Sequence, residues 1–322
     1  MVMRRVNRLF RVGVPAALTA FALASCGPPR SERLAVQVDV CRTDGRLLLS
    51  VSSDGNSRIV IANADLSHAR LIRESASDAV FSPECDRIAY QEARPADDGC
   101  GLSVLRVRGG SSAPLTHERA VCDSEPSFSP DGRSVAFARA ARNRPYSMGG
   151  YVWDDWDIYL VDVASGRTAQ LTNARYHSAT RPCFLGSGAV VFGAEVPSGS
   201  SLAYGIEKVP ADGGAPPKAM VEGSRLSDPA VCWPTGRLAY VSDAASPFNY
   251  EIMQAGEGAA PASQVTHLRS YISWPTYSAD GRSIYFLSDP KRGSNWELWS
   301  VGASGGEARR LCTDEVLRDL AR

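Results

Sequence analysis

The side chains able to do chemistry in this chain of 322 residues are four histidines, eight cysteines and a set of dispersed carboxylates. Metal ligation needs three or four donors that converge. His117 and His267 each follow an apolar residue and a threonine, Leu115-Thr116 and Val265-Thr266, so they are equivalents in a repeat and not partners at one ion. His177 stands in a loop ahead of a strand-like run and is the histidine placed to face a central site. Asp154 and Asp155 offer two carboxylates without the further oxygens that calcium takes. A serine nucleophile lifted on a strained turn reads Gly-x-Ser-x-Gly, and the chain has no such stretch. The expectation is a protein that is not an enzyme, with no catalytic residue, cofactor or metal.

What must position these residues is a repeat. A core residue followed four positions later by a turn residue recurs as Cys41 to Gly45, Phe81 to Cys85, Phe128 to Gly132, Phe184 to Gly188, Cys232 to Gly236 and Tyr277 to Gly281. The spacings are 40, 47, 56, 48 and 45 residues. A short apolar run follows each, and Asp-Gly ahead of such a run is a strong hairpin signal. A second half-repeat comes next: Asp157 to Asp162 with Gly166 and Leu171-Thr172 aligns with Glu297 to Val301, Gly305 and Leu311-Cys312. Ile158 and Leu160 alternate with Asp157 and Tyr159, the period of a strand. Helical periodicity is confined to the final turn, Glu315 to Leu320.

Each unit therefore holds four short strands in about 45 residues, the pattern of a propeller blade. The predicted fold is all-β, a six-bladed β-propeller of four-stranded antiparallel blades spanning 34–322 as one domain. Leu34 to Asp39 is expected to close the ring by adding an outer strand to the last blade.

Phe-Ser-Pro-Asp-Gly-Arg-Ser at 128–134, Tyr-Ser-Ala-Asp-Gly-Arg-Ser at 277–283 and the run Leu287-Ser-Asp289 to Asn295-Trp-Glu-Leu-Trp299 resemble the repeat of the TolB-like propeller family. The resemblance covers about 35–313. It implies an envelope protein whose channel mouth binds partner proteins, as in the Tol–Pal system. The namesake carries an α/β domain ahead of its propeller and is soluble. Neither feature is read here, which points to a TolB-like lipoprotein. Similar propellers precede the hydrolase domain of prolyl-oligopeptidase-type peptidases, and others are polysaccharide lyases.

Two surfaces are candidate binding sites. Asp78, Glu125, Arg181, Asp228 and Trp274 stand at the start of successive inner strands and should ring one mouth of the channel. The insertion behind the 56-residue spacing carries Tyr151, Val152 and Trp153 ahead of three aspartates, and Tyr151 and Trp153 are candidate anchors in an exposed loop. Trp156 aligns with Trp296 and is expected in the core. The competing reading is a glycan-binding or polysaccharide-lyase-type propeller, with His177, Arg181 and Tyr151 or Trp153 in the channel.

Cys41 and Cys232 occupy a core position of the repeat and are expected as buried thiols. Cys100 and Cys122 lie on loops of one face, where a bridge between them is geometrically feasible.

Residues 1–25 read as a lipoprotein signal peptide: Arg4, Arg5, Arg8 and Arg11, then the apolar stretch Val12 to Ala24, too short to span a bilayer. Leu23-Ala24-Ser25-Cys26 resembles a lipobox, so Cys26 is the expected lipidation site, with 26–33 as a tether. Removing those four arginines leaves 31 basic against 35 acidic side chains, a net of −4, which excludes a nucleic-acid footprint. The expectation is a lipid-anchored, exported protein of the bacterial cell envelope, facing the periplasm or the exterior. It binds a protein or peptide, contacts the membrane through its anchor, and has no nucleic-acid partner.

Overall fold

Short alternating runs punctuated by tight turns fold as antiparallel meanders. The computed structural model describes residues 34–53, 55–94, 99–145, 151–199, 201–255, 262–292 and 295–322. Strands β1 (Ala35–Val40), β2 (Leu47–Ser53), β3 (Asn56–Ala62) and β4 (Arg70–Glu74) form the first sheet in chain order. The next sheet has eight strands. Its first half is β5 (Ala76–Phe81), β6 (Arg87–Arg94), β7 (Gly99–Arg106) and β8 (Ser112–Pro114). Its second half is β9 (Cys122–Phe128), β10 (Ser134–Pro145), β11 (Tyr151–Asp162) and β12 (Thr168–Gln170). The halves meet where β7 and β9 run parallel at Cys100 and Cys122.

Three more four-stranded sheets follow. They are β13 (Ser178–Leu185), β14 (Ala189–Ser198), β15 (Ser201–Pro210) and β16 (Lys218–Gly223); then β17 (Ser227–Val231), β18 (Leu238–Ser242), β19 (Glu251–Ala255) and β20 (Ser263–Gln264); then β21 (Tyr271–Tyr277), β22 (Ser283–Asp289), β23 (Glu297–Gly302) and β24 (Arg309–Cys312). Helix α1 (Asp314–Ala321) ends the chain. The described residues thus form five sheets built from four-stranded antiparallel quartets. Among them no helix is long and apolar enough to cross a membrane.

The repeated residues are structural. In the turn between β9 and β10, Ser129 Oγ donates to Asp131 Oδ1 at 2.6 Å and accepts the Ser134 N–H at 2.9 Å. Ser278, Asp280 and Ser283 repeat this between β21 and β22 at 2.7 and 3.0 Å. The threonine after the outer strand locks the other end. Thr172 Oγ1 accepts the Ile158 N–H at 2.9 Å and donates to Asp157 at 2.7 Å; Thr266 does the same with Ile252 and Glu251 at 2.9 and 2.6 Å. The carboxylates of Asp157 and Glu251 then accept N–H groups at 174–175 and 268–269, which satisfies loop donors that have no ladder partner.

Hydrophobic packing runs from quartet to quartet. Leu48 and Ile59 meet Phe81 and Tyr90; Leu102 meets Phe128 and Phe137; Ile158 meets Phe184 and Phe192; Val191 meets Leu238 and Tyr240; Ile252 meets Ile284 and Phe286. The last quartet returns to the first, where Leu287 and Leu298 pack with Val36, Leu47 and Leu49. Helix α1 seals this seam with Leu317 and Ala321, one turn apart on one face. Asp314 and Glu315 in its first turn and Arg318 in its last suit the helix dipole.

The seam corrects the expectation about closure. Leu34 to Asp39 does not join the last sheet: β1 pairs with β2, and β24 supplies the fourth strand of the last quartet. The reason is the tight turn from Cys41, where the Cys41 N–H reaches Arg46 O at 2.8 Å and Gly45 N–H reaches Cys41 O at 2.9 Å. A strand hairpinned that closely to its successor stays in its successor's sheet.

Candidate functional site: an axial pocket

Five inner strands carry a bulge at one position. The ladder slips between Ser77 and Val80, Ser124 and Ser127, Thr180 and Cys183, Ser227 and Ala230, and Ser273 and Thr276. The first bulged residue is left-handed in each: Asp78, Glu125, Arg181, Asp228 and Trp274 have φ between 46° and 58°. Such a conformation is unfavourable for side-chain-bearing residues and persists where the surroundings over-determine it. Proline follows in four of the five, at 126, 182, 229 and 275. It lacks an N–H and fits a bulge.

The surroundings are the preceding quartet. A bulge turns its N–H out of the ladder, and a side chain of the preceding quartet accepts it. Asp78 N–H donates to Gln37 Oε1 at 2.7 Å, and Glu125 N–H donates to Asp78 Oδ2 at 3.2 Å. Arg181 N–H donates to the Glu125 carboxylate. Trp274 N–H and Ser273 Oγ donate to Asp228 Oδ2 at 3.3 and 3.0 Å. The series breaks at Arg181, whose guanidinium has no acceptor for the Asp228 N–H. The ring residues named from sequence are therefore inside the inner strands, and Asp78 and Glu125 are buried ties between quartets.

Burial, joined by the neighbouring Asp78, pushes the Glu125 carboxyl up to about 8, against the opposing Arg181 N–H and charge. Burial also raises Asp78, against its hydrogen bonds from Gln37 and Glu125, and raises Asp39, whose Oδ2 accepts the Phe81 N–H at 2.8 Å.

Above this floor lies a pocket of about 110 Å³ on the axis. Its wall includes Val38, Val40, Pro182 and Val231, and its rim is made by Arg42, Trp233, Ser278 and Ala279 from the turns after the inner strands. Two arginines stack on tryptophans there. The Arg42 guanidinium lies 3.8 Å from the Trp233 ring centre, and that of Arg181 lies 4.3 Å from Trp274. Arg181 Nη1 also donates to Pro275 O at 3.0 Å. Burial lowers Arg42 to about 10, opposed by Asp39, so it stays cationic.

Sequence reasoning missed Arg42 and Trp233. The signal was present: both follow the first turn residue, where the second and third quartets have Pro83 and Pro130.

The other candidate residues lie elsewhere. His177 Nδ1 is 3.7 Å from Asp154 Oδ1, and Arg144 Nε donates to Asp154 Oδ2 at 2.5 Å, on the long β10–β11 hairpin and away from the residues that line the pocket. Trp153 is half-buried and packs with Trp156 on Cys100, Cys122 and Ala140, so it is no free loop anchor. Its backbone pairs with Asn143 because the insertion continues the ladder instead of looping out. The Tyr151 backbone pairs with Pro145, and its side chain lies outside the described residues. Residues 1–33, with Cys26, also lie outside them. Among the described residues no three potential ligands gather.

Cys100 and Cys122 are bridged, their Cα atoms 4.4 Å apart. Cys41 is also bridged, to Cys85, with Cα atoms 5.7 Å apart, and is not the core thiol expected. Its N–H bonds Arg46 O as that of Ser82 bonds Arg87 O. Cys41 thus matches Ser82, not Phe81, and points across to the next quartet. Cys183, Cys232 and Cys312 are free.

No family model matches the sequence, and no curated protein matches it. Solved structures do. TolB from Acinetobacter baumannii superposes with a TM-score of 0.61 at 18% identity, over 87% of this chain and 65% of that one. The oligogalacturonate lyase of Vibrio parahaemolyticus gives 0.60 at 14%, over 88% and 80%. The β-propeller domain of the Trilobed protease from Pyrococcus furiosus, which has an open velcro topology, gives 0.55 at 12%, over 87% and 85%. The fold is a β-propeller. At these identities the likeness speaks for fold alone, and the chain spans 65% of the TolB chain.

Proposed function

We propose that this chain is a six-bladed propeller, each quartet a blade, and a non-enzymatic binding module of the bacterial cell envelope. In this reading it is held to the membrane by lipid on Cys26 and takes a protein or peptide partner at the axial pocket. The observation that carries it is how the axial charges are used. Asp78, Glu125 and Asp228 accept backbone N–H groups of the following quartet, so they tie blades together and are not free for acid–base work. What faces the pocket is a pair of arginine–tryptophan platforms.

A pocket of about 110 Å³ is well below the roughly 300–1,000 Å³ of clefts that enclose a drug-sized ligand. That favours the tip of a partner over an enclosed sugar chain. The glycan reading draws on the likeness to the lyase, but it needs His177 beside Arg181, and His177 pairs with Asp154 instead.

The test places a photoreactive residue at Ala279 on the rim and, as control, at the exposed Leu71 of β4. Crosslinking in the native envelope should yield one protein from Ala279 and not from Leu71. Recovery of glycan alone, or identical products from both positions, overturns the reading.

A further inference from the structure

We propose that the axial pocket receives the free carboxylate at the end of a peptide chain, held between the guanidiniums of Arg42 and Arg181. This rests on the binding-module reading and specifies the end of the partner that enters.

Arg42 carries the argument. Its guanidinium is half-buried on Trp233, yet it makes no hydrogen bond to any acceptor among the described residues. Guanidinium offers five N–H donors in a flat fork, and buried donors left unpaired are costly. Arg181 spends one side-chain N–H on Pro275 O and keeps the others. Both side chains line one pocket together with Asp39, and Asp39 Oδ2 is already committed to the Phe81 N–H. The Arg42 guanidinium thus lacks an acceptor and that of Arg181 keeps N–H groups to spare, both at the wall of one narrow pocket, and a carboxylate meets such donors with paired N–H···O bonds.

The walls choose among oxyanions. Asp39 shares the pocket with the arginines and opposes their charge, so a monoanion suits the site better than a phosphate dianion. Val38, Val40 and Val231 leave an apolar lining beside the charged end, suited to the side chain of a terminal residue. The small axial volume admits a chain end-on.

The experiment titrates the protein with an N-acetylated Ala-Val-Leu peptide carrying a free C-terminus, with its C-terminal amide, and with inorganic phosphate, reading tryptophan fluorescence. The free acid should bind at least about 10-fold more tightly than the amide, and phosphate should be the weaker anion. Arg42→Gln should lose about 10–100-fold toward the free acid, as expected for charge-assisted hydrogen bonds. Arg42 donates no hydrogen bond to the fold, so this variant loses only the stack on Trp233 and the attraction to Asp39 and should remain folded, which its melting curve checks. Arg181→Gln is run beside it, and Arg42→Gln decides if that variant unfolds. Equal affinity for acid and amide, binding of neither, or an unaffected Arg42→Gln overturns the inference. If Arg42→Gln still crosslinks a protein through Ala279, the carboxylate inference falls and the module reading stands. If wild type crosslinks none, the reading itself falls.

Discussion

The Arg181 N–H is held by the Glu125 carboxylate, 56 residues earlier in the chain and one quartet back. This bond is one link in a series that fastens four of the five bulges to the quartet before. It sets the left-handed backbone from which the Arg181 side chain reaches over Trp274.

Glu125 makes stability depend on pH. Its carboxyl is raised from the ordinary 4.5 to about 8, and Glu195, buried near Asp228, is raised to about 7. Between 4.5 and those values the folded chain holds protons that the unfolded chain has released. Stability therefore falls as pH rises through this window. Glu125→Gln keeps an acceptor for Arg181 and removes the titration. Its melting temperature should drop less from pH 5 to pH 8 than that of wild type. Parallel curves for the two proteins would show that Glu125 is not the proton holder.

Cys232 of β17's turn occupies the place that Cys41 has in the first quartet, and Gly281 occupies that of Cys85. A Cβ built on Gly281 would lie 2.6 Å from Cys232 Sγ. Gly281 has φ +68°, close to the 56° that Cys85 already adopts. Gly281→Cys should form a third bridge under oxidising conditions and stabilise the chain by roughly 2–4 kcal/mol. Thiol titration and denaturant unfolding with and without reductant check this. An unchanged free-thiol count relative to the reduced variant contradicts it.

The seam between the last and first quartets relies on α1. Leu317 is fully buried against Val36, Leu49 and Leu298. Leu317→Ala should cost about 2–5 kcal/mol in urea unfolding. A loss under about 0.5 kcal/mol would show that the helix does not clasp the ring.

The turns and four-strand units were legible because Asp-Gly and Ser-Pro punctuation and period-two alternation are local properties. The ring from Asp78 to Trp274 was legible because repeats place equivalent residues on one axis. Its bulges, and the ties they demand, depend on contacts between quartets that no single repeat displays. A one-residue error in aligning Cys41 hid both its bridge to Cys85 and the axial placing of Arg42, since a shift of one turns a strand residue to the other face. Trp153 read as a loop residue because the insertion's strand extension pairs only with itself, between Arg142 and Asp154 and beyond.

The central claim is that partners bind at the axial pocket, and crosslinking from Ala279 in the native envelope, in wild type and in Arg42→Gln, tests it most directly. One protein captured by wild type and lost or strongly reduced in Arg42→Gln is the predicted result. A wild-type chain that captures no protein, or captures the same set as one probed at Leu71, contradicts it.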